Sequence, residues 1–292
     1  MLAVYKKEMK SYFISMFGYA FVAFLLAIVS FCVYMTNIKN ASPFIGYAFN
    51  TPYIPIIFMI LVPMLTMKIF ADERATKTDQ ILFTAPIKVS DIVWGKFLAV
   101  STVYTIPMLV IAVYPLVLQQ YGEVPMANSY VALLGFWLMG LAYFAIGVYI
   151  SSITENQVIS AVVTFAVLFM SFIAQYVAKI LPSTKAAGLA GWIVLIVIVA
   201  IIYALAAKSV KNTNKIAIAL AVVGIIIAVV LFVVKPDIYV NGLQNLLYVF
   251  SLDYNLQYFI GDFLDIPTVV YYLSVIGVAV YLTMQSINKK RG

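Results

Sequence analysis

Apolar residues in this chain come in long unbroken runs rather than at alternating or amphipathic spacing. Runs close to the roughly 17 to 25 residues that a helix needs to cross a bilayer occur at Met16–Met35, Ile54–Phe70, Phe97–Gln119, Tyr130–Ile150, Val158–Val177, Ala187–Ala207, Ile216–Val234 and Thr268–Ser286. β-branched stretches such as Ile193 to Ile202 would favour strands in water. In lipid a helix satisfies its own backbone and an open sheet edge does not. The pattern therefore predicts an all-α, polytopic integral membrane protein of about eight helices. The first run follows Lys6, Lys7 and Lys10, as the apolar stretch of a signal peptide would. It is about twenty residues long, against the roughly 7 to 15 of a signal h-region, and no Ala-x-Ala site precedes a polar mature start. It reads as a retained helix. Cys32, preceded by the bulky Phe31, reads as apolar filler rather than a lipid-attachment site.

Composition agrees with this pattern: of 292 residues, 65% are hydrophobic and 10% charged, and the mean hydropathy is +1.05. That much apolar surface has no soluble core to hide in. The eighteen basic and eleven acidic residues give a net charge of +7. With the N-terminus in the cytoplasm, fourteen of the eighteen basic residues fall on the cytoplasmic side and Lys39, Lys179, Lys185 and Lys235 on the other. This is the positive-inside bias that orients membrane helices. It places both termini, with the tail Lys289-Lys290-Arg291, in the cytoplasm, and it makes nucleic acid a poor candidate partner. The chain has no His and one Cys. His-based acid–base catalysis, Ser-His-Asp and Cys-His nucleophiles, and His or Cys zinc sites are all excluded. No GxxxxGK[ST] string occurs; Gly95-Lys96 lacks the earlier Gly and is followed by Phe97.

Two polar interruptions are patterned. Between Ala71 and Gly95 the chain reads ADERATKTDQILFTAPIKVSDIVWG. Thr76 and Asp79 ahead of Ile81-Leu82-Phe83 suit the capped start of a short helix over about 76–85. Pro86 stops it by pushing Ala85 away from α geometry, and Ser90-Asp91 starts the next helix. Ile81, Leu82 and Phe83 then form an apolar stripe at a membrane face. Such a stripe rests in the headgroup region or inserts into a groove on a partner; pattern alone leaves both open. The second interruption is Ser151-Ser152-Ile153-Thr154-Glu155-Asn156-Gln157, where Thr154 and Gln157 fit a capping box that starts a new helix. It reads as a simple helix hairpin or as a second docking elbow.

These residues carry a family resemblance. The string Ala71-Asp72-Glu73-Arg74, Gln80-Ile81-Leu82-Phe83-Thr84-Ala85-Pro86 and Asp91-Ile92-Val93-Trp94-Gly95-Lys96-Phe97-Leu98-Ala99 resembles the cytoplasmic loop of ABC-2 type transporter permeases. Ser151 to Gln157 is similar to the turn between their fourth and fifth helices. Phe250-Ser251-Leu252-Asp253, Phe259, Gly261-Asp262-Phe263-Leu264-Asp265 and Val270-Tyr271-Tyr272-Leu273-Ser274 resemble the end of the gliding-motility-type branch. On that resemblance, 1–180 is a transmembrane core of helices one to five. Residues 237–267 are an extracytoplasmic re-entrant or interfacial segment, 268–287 the last helix and 288–292 a basic tail. The family pattern has six helices, so the hairpin 187–234 is extra. Its second helix aligns Ala217, Ala221, Gly224 and Ala228 on one small-residue face, suited to close helix contact on this chain or another.

The resemblance implies a permease subunit, in the bacterial inner or cytoplasmic membrane, of an ATP-driven exporter. The ATPase would be a separate chain holding the ATP and Mg, with no cofactor and no metal on this chain. A second permease, identical or paralogous, and membrane lipid are the other expected partners, and an extracytoplasmic accessory protein is a further candidate. Arg74, Lys77, Asp79, Gln80, Ile81, Leu82 and Phe83 would couple to the ATPase, with Thr154, Glu155 and Gln157 making a smaller contact. Pro63 and Pro107 interrupt backbone hydrogen bonding near the middle of helices two and three and are candidate hinges. Phe250, Tyr254, Tyr258 and Phe259 are either interfacial anchors or an outer gate. No charged residue falls clearly in the middle of a predicted span, which argues against an ion-coupled secondary transporter or a carboxylate-lined channel. A polytopic membrane scaffold or enzyme is the remaining alternative.

Overall fold

The computed structural model describes residues 1–78, 87–206, 213–234, 239–261 and 264–291. The structure among them is helical, with no strand. They divide into two compact units, Met1–Met170 with Leu252–Gly292, and Ser171–Ser251.

The first unit opens on α1 (Leu2–Ile14). Ser15 and Met16 break it from α2 (Phe17–Val33), Met16 taking the left-handed φ of 58° that non-glycine residues seldom adopt. The π-helical turn Tyr34–Ile38 prolongs α2, and Asn37 closes the following loop by donating to the Ser42 carbonyl. Next come α3 (Gly46–Phe49), α4 (Tyr53–Thr66) and the one-turn α5 (Ala71–Ala75). They are followed by α6 (Val89–Ile111), α7 (Tyr114–Leu118), α8 (Met126–Ile153) and α9 (Gln157–Ile180). Among the described residues six helices are long and apolar enough to cross a membrane: Phe17–Ile38, Tyr53–Ala75, Val89–Leu118, Met126–Ile153, Gln157–Ile180 and Ile266–Lys289. Each coincides with a predicted span. α6 starts beside Ser90-Asp91, as the polar interruption predicts, with Asp91 in its first turn complementing the helix dipole.

α8 is the central element of this unit, packing against α4, α6, α13 (Leu252–Ile260) and α14 (Ile266–Arg291). Its core is aromatic: Phe58 stacks on Tyr143 with ring centroids 5.5 Å apart, and Phe136 stacks on Phe49 at 4.5 Å. Tyr104 donates to the Phe136 carbonyl at 2.9 Å, over Gly140, where a Cβ would fall 2.3 Å from its ring. Pro63 and Pro107 lie inside α4 and α6, both buried against neighbours.

The second unit pairs α10 (Lys185–Ala206) with α11 (Thr213–Val234), and α12 (Gly242–Phe250) packs on α10. Both long helices have 22 residues and overlie the predicted hairpin 187–234. Of the small residues, Gly224 sits against Ile196 of the hairpin partner, and Ala228 is buried, its carbonyl accepting from the Tyr239 hydroxyl. Lack of side-chain bulk, not polarity, brings these backbones together.

Candidate functional site

Where α5 meets the ends of α1, α6 and α8, the first unit carries a group of buried charges. Lys96, on the second turn of α6, is 1% exposed. Its ammonium lies 2.9 Å from Glu8 Oε1, 2.9 Å from Glu73 Oε2 and 2.6 Å from the Ile69 carbonyl. The Phe70 ring sits 4.9 Å from the same nitrogen. Lys7 bonds the other Glu73 oxygen at 2.7 Å and approaches Glu8 at 3.8 Å. Two lysines thus face two glutamates, and the group is electrically neutral. A buried charge persists only when it is paired and hydrogen-bonded in this way. Glu8 comes from α1, Glu73 from α5 and Lys96 from α6, so three elements share one set of charges.

The neighbours of Glu73 fasten α5 to a further junction. Ser151 Oγ accepts from the backbone N–H groups of Phe70 and Ala71, at 3.1 and 3.2 Å, which satisfies donors that the start of a helix leaves unpaired. Arg74 donates to the Thr154 carbonyl at 2.8 Å and to that of Ser152, where the end of α8 has free carbonyls and a negative dipole. Gln157, at the start of α9, donates to Asp72. Ser286 on α14 donates to the Ser152 carbonyl at 3.2 Å. Asp72, Glu73 and Arg74 therefore each point to a different neighbour, and α5 is a joint rather than a surface turn.

Several predicted site residues change role. The Thr76 hydroxyl donates backward to the Asp72 carbonyl at 2.9 Å, finishing α5. Thr154 does not form a capping box with Gln157. Its hydroxyl donates to the Ile150 carbonyl at 3.0 Å, ending α8, and Asn156 Oδ1 caps α9 instead by accepting from Val158 N–H at 2.8 Å. A Thr hydroxyl one turn beyond a helix's last carbonyls finds those acceptors first. Lys77, with φ of 57°, and Glu155 are exposed. Asp79, Gln80, Ile81, Leu82 and Phe83 lie outside the described residues, and so does most of the predicted helix 76–85. Of the aromatic set, Phe259 is 1% exposed, packed over Gly135 and stacked on Tyr272, and so belongs to the core. Tyr258 is exposed, Tyr254 half-buried, and Phe250, in the other unit, exposed.

Sequence reading missed two groups. It counted Lys96 only as an inside charge, and Glu8 not at all, because their partners are remote in the chain; the run Gly95-Lys96-Phe97 entering an apolar helix was the one available signal. It placed Asp253 in the extracytoplasmic re-entrant or interfacial segment 237–267 and gave it no role. Asp253 is 6% exposed, on the first turn of α13, and its carboxyl oxygens are buried without a hydrogen-bond partner of normal geometry. The Tyr143 hydroxyl is the donor facing them. No group of three or more His, Cys, Asp or Glu suited to a metal occurs among the described residues.

Compared with known proteins, residues 34–287 match the family model described as ABC-2 family transporter protein. No curated protein matches the chain.

Proposed function

The chain belongs to the ABC-2 transporter family, and from that premise we propose that it is the membrane-spanning subunit of an ATP-driven transporter, moved by a separate ATPase that binds ATP and Mg. The supporting observation is the α5 joint. One turn of helix holds α1 and α6 through the Lys96–Glu73–Glu8 charges and the α8–α9 junction through Ser151, Arg74 and Asp72. Force applied to the segment that follows α5 would reach these helices together, because buried ion pairs resist separation. The apolar run Ile81-Leu82-Phe83 is the ATPase-docking element in this reading, with Arg74, Lys77, Asp79 and Gln80 flanking it and Glu155 on the neighbouring elbow. Thr154 and Gln157 act as fasteners of that elbow rather than as docking residues. We assign export as the direction, a second permease copy or paralogue as the other half of the pathway, and the bacterial cytoplasmic membrane as the location. The family resemblance alone supports these three assignments. Pro63 and Pro107 are proposed hinges, being the prolines that lie beyond the first turn of α4 and α6, where a missing backbone donor breaks the helical bonding.

The test is co-expression with the stand-alone ATPase encoded nearest to this chain. The two should purify together, and Leu82→Asp combined with Phe83→Asp should release the ATPase while leaving the permease in the membrane. Retention of the ATPase with unchanged ATP turnover overturns the docking assignment.

A further inference from the structure

We propose that Asp253 is a proton-binding site inside the first unit, and that the bound proton holds α13 against α8 and α14. This goes beyond the coupling reading above and does not depend on which ATPase docks.

Depth and surroundings carry the argument. Asp253 faces Tyr143, eighteenth of the 28 residues of α8 and so far from either end of that helix. α13 is anchored there at both of its ends: the Tyr272 hydroxyl donates to the Leu252 carbonyl at 2.7 Å, and Phe259 fills the gap over Gly135. Both Asp253 oxygens are dry, and neither has a hydrogen-bond partner of normal geometry. A carboxylate left in that state would carry a large uncompensated desolvation cost, so it neutralises by taking up a proton. Among the described residues no cation faces it to do this instead. From α8 the facing titratable group is Tyr143; from α14 they are Tyr271 and Tyr272; α3 offers Tyr47, which is half exposed with its ring against Phe44. On α13 itself Tyr254 and Tyr258 contact each other. All are phenols, and none is a cation. A hard metal ion would want six or more oxygen ligands, which this aromatic shell does not provide. The ligand that fits is H⁺.

Burial accordingly pushes the Asp253 carboxyl up to about 7, against the opposing effect of the Tyr143 hydroxyl; α13, nine residues long, is not itself a membrane span. A proton bound more tightly when α13 is packed than when it is released must favour the packed arrangement, and losing it must favour release.

Two measurements on the purified full chain in lipid nanodiscs test this. The first is infrared difference spectroscopy of the protonated-carboxyl stretch during a pH titration. A band that titrates near pH 7 and vanishes in Asp253→Asn is the expected result; a carboxyl already ionised near its ordinary value of about 4 overturns the proposal. Tyr143→Phe, a second variant should the first not fold, removes a group that favours the ionised form and should move the midpoint upward. An unmoved midpoint places the titration elsewhere and also overturns it. The second is hydrogen exchange of the α13 amides, taken as the ratio of wild type to Asp253→Asn at each pH so that intrinsic exchange cancels. That ratio should rise about tenfold per pH unit between roughly pH 4 and 7 and then level off. A ratio independent of pH shows a merely structural carboxyl.

Discussion

Two places in the first unit bury charge, and they do so in opposite ways. At the α5 joint, Lys96, Glu8, Glu73 and Lys7 are mutually neutralised, and the Lys96 ammonium lies within 3 Å of three oxygens. In the middle of the unit, Asp253 is alone among tyrosines. The first arrangement is costly to pull apart at any pH near neutrality, since separation leaves charges without partners in a poorly solvated site. The second is comfortable only as the neutral acid. The first is a joint that does not yield; the second, on the proposal above, is a contact whose strength a proton sets.

The largest expected effect breaks the first arrangement. Lys96→Met leaves Glu8 and Glu73 facing each other without their central cation and should cost about 3 to 5 kcal/mol, read as lost expression and a lower unfolding midpoint in detergent. Adding Glu8→Gln and Glu73→Gln to the same chain should recover most of that loss. If the single and triple variants are equally unstable, the pairing is not what matters.

The next effect has the opposite sign and sharpens the contrast. The folded-state pKa of Asp253 lies above its unfolded value, so the folded state holds a proton that the unfolded state has lost between about pH 4 and 7. Wild-type stability therefore falls through that window, and the change from 3.8 to about 7 caps the loss at about 4 kcal/mol. Asp253→Asn cannot ionise. Measured against wild type it should gain stability between pH 4 and pH 8, whatever constant packing effect the substitution adds; a constant difference across that range contradicts the assignment. A smaller effect is expected at the edge of the joint. Ser151→Ala leaves the Phe70 and Ala71 N–H groups without their acceptor and should cost about 1 to 2 kcal/mol, with hydrogen exchange at those two amides rising first. The smallest belongs to Lys7, whose side chain is 62% exposed. Lys7→Met should cost under about 1 kcal/mol and less in high salt, as exposed ion pairs do; a loss matching that of Lys96→Met would mean that the burial of Lys96 is irrelevant.

The spans were legible because lipid imposes a length and a composition on each of them separately, and every predicted run falls on a helix. The polar interruptions were legible as interruptions but not as contacts. Thr154 shows why: a hydroxyl near a helix boundary can bond forward to free N–H groups or backward to free carbonyls, and the local sequence of a capping box does not say which end lies closer. Asp253 shows a related limit. An Asp followed by Tyr and Asn in a segment between membrane helices reads as surface, and only the placement of α13 against Gly135 and Tyr143 makes it interior.

By itself the sequence determined the solvent of this protein, the place along the chain of the six helices long and apolar enough to cross a membrane among the described residues, the absence of His chemistry and of a phosphate-binding loop of the Walker type, and its family likeness. All of these follow from properties read along the chain: hydrophobic run length, composition and local motif. The tertiary structure alone decided that Glu8, Glu73 and Lys96, up to 88 positions apart, form one charge group, that α5 fastens helices on both of its sides, and that Asp253 faces tyrosines and no counter-charge among the described residues. Electrostatic energy depends on distance and on access to water, and neither is written in the spacing of residues along a chain.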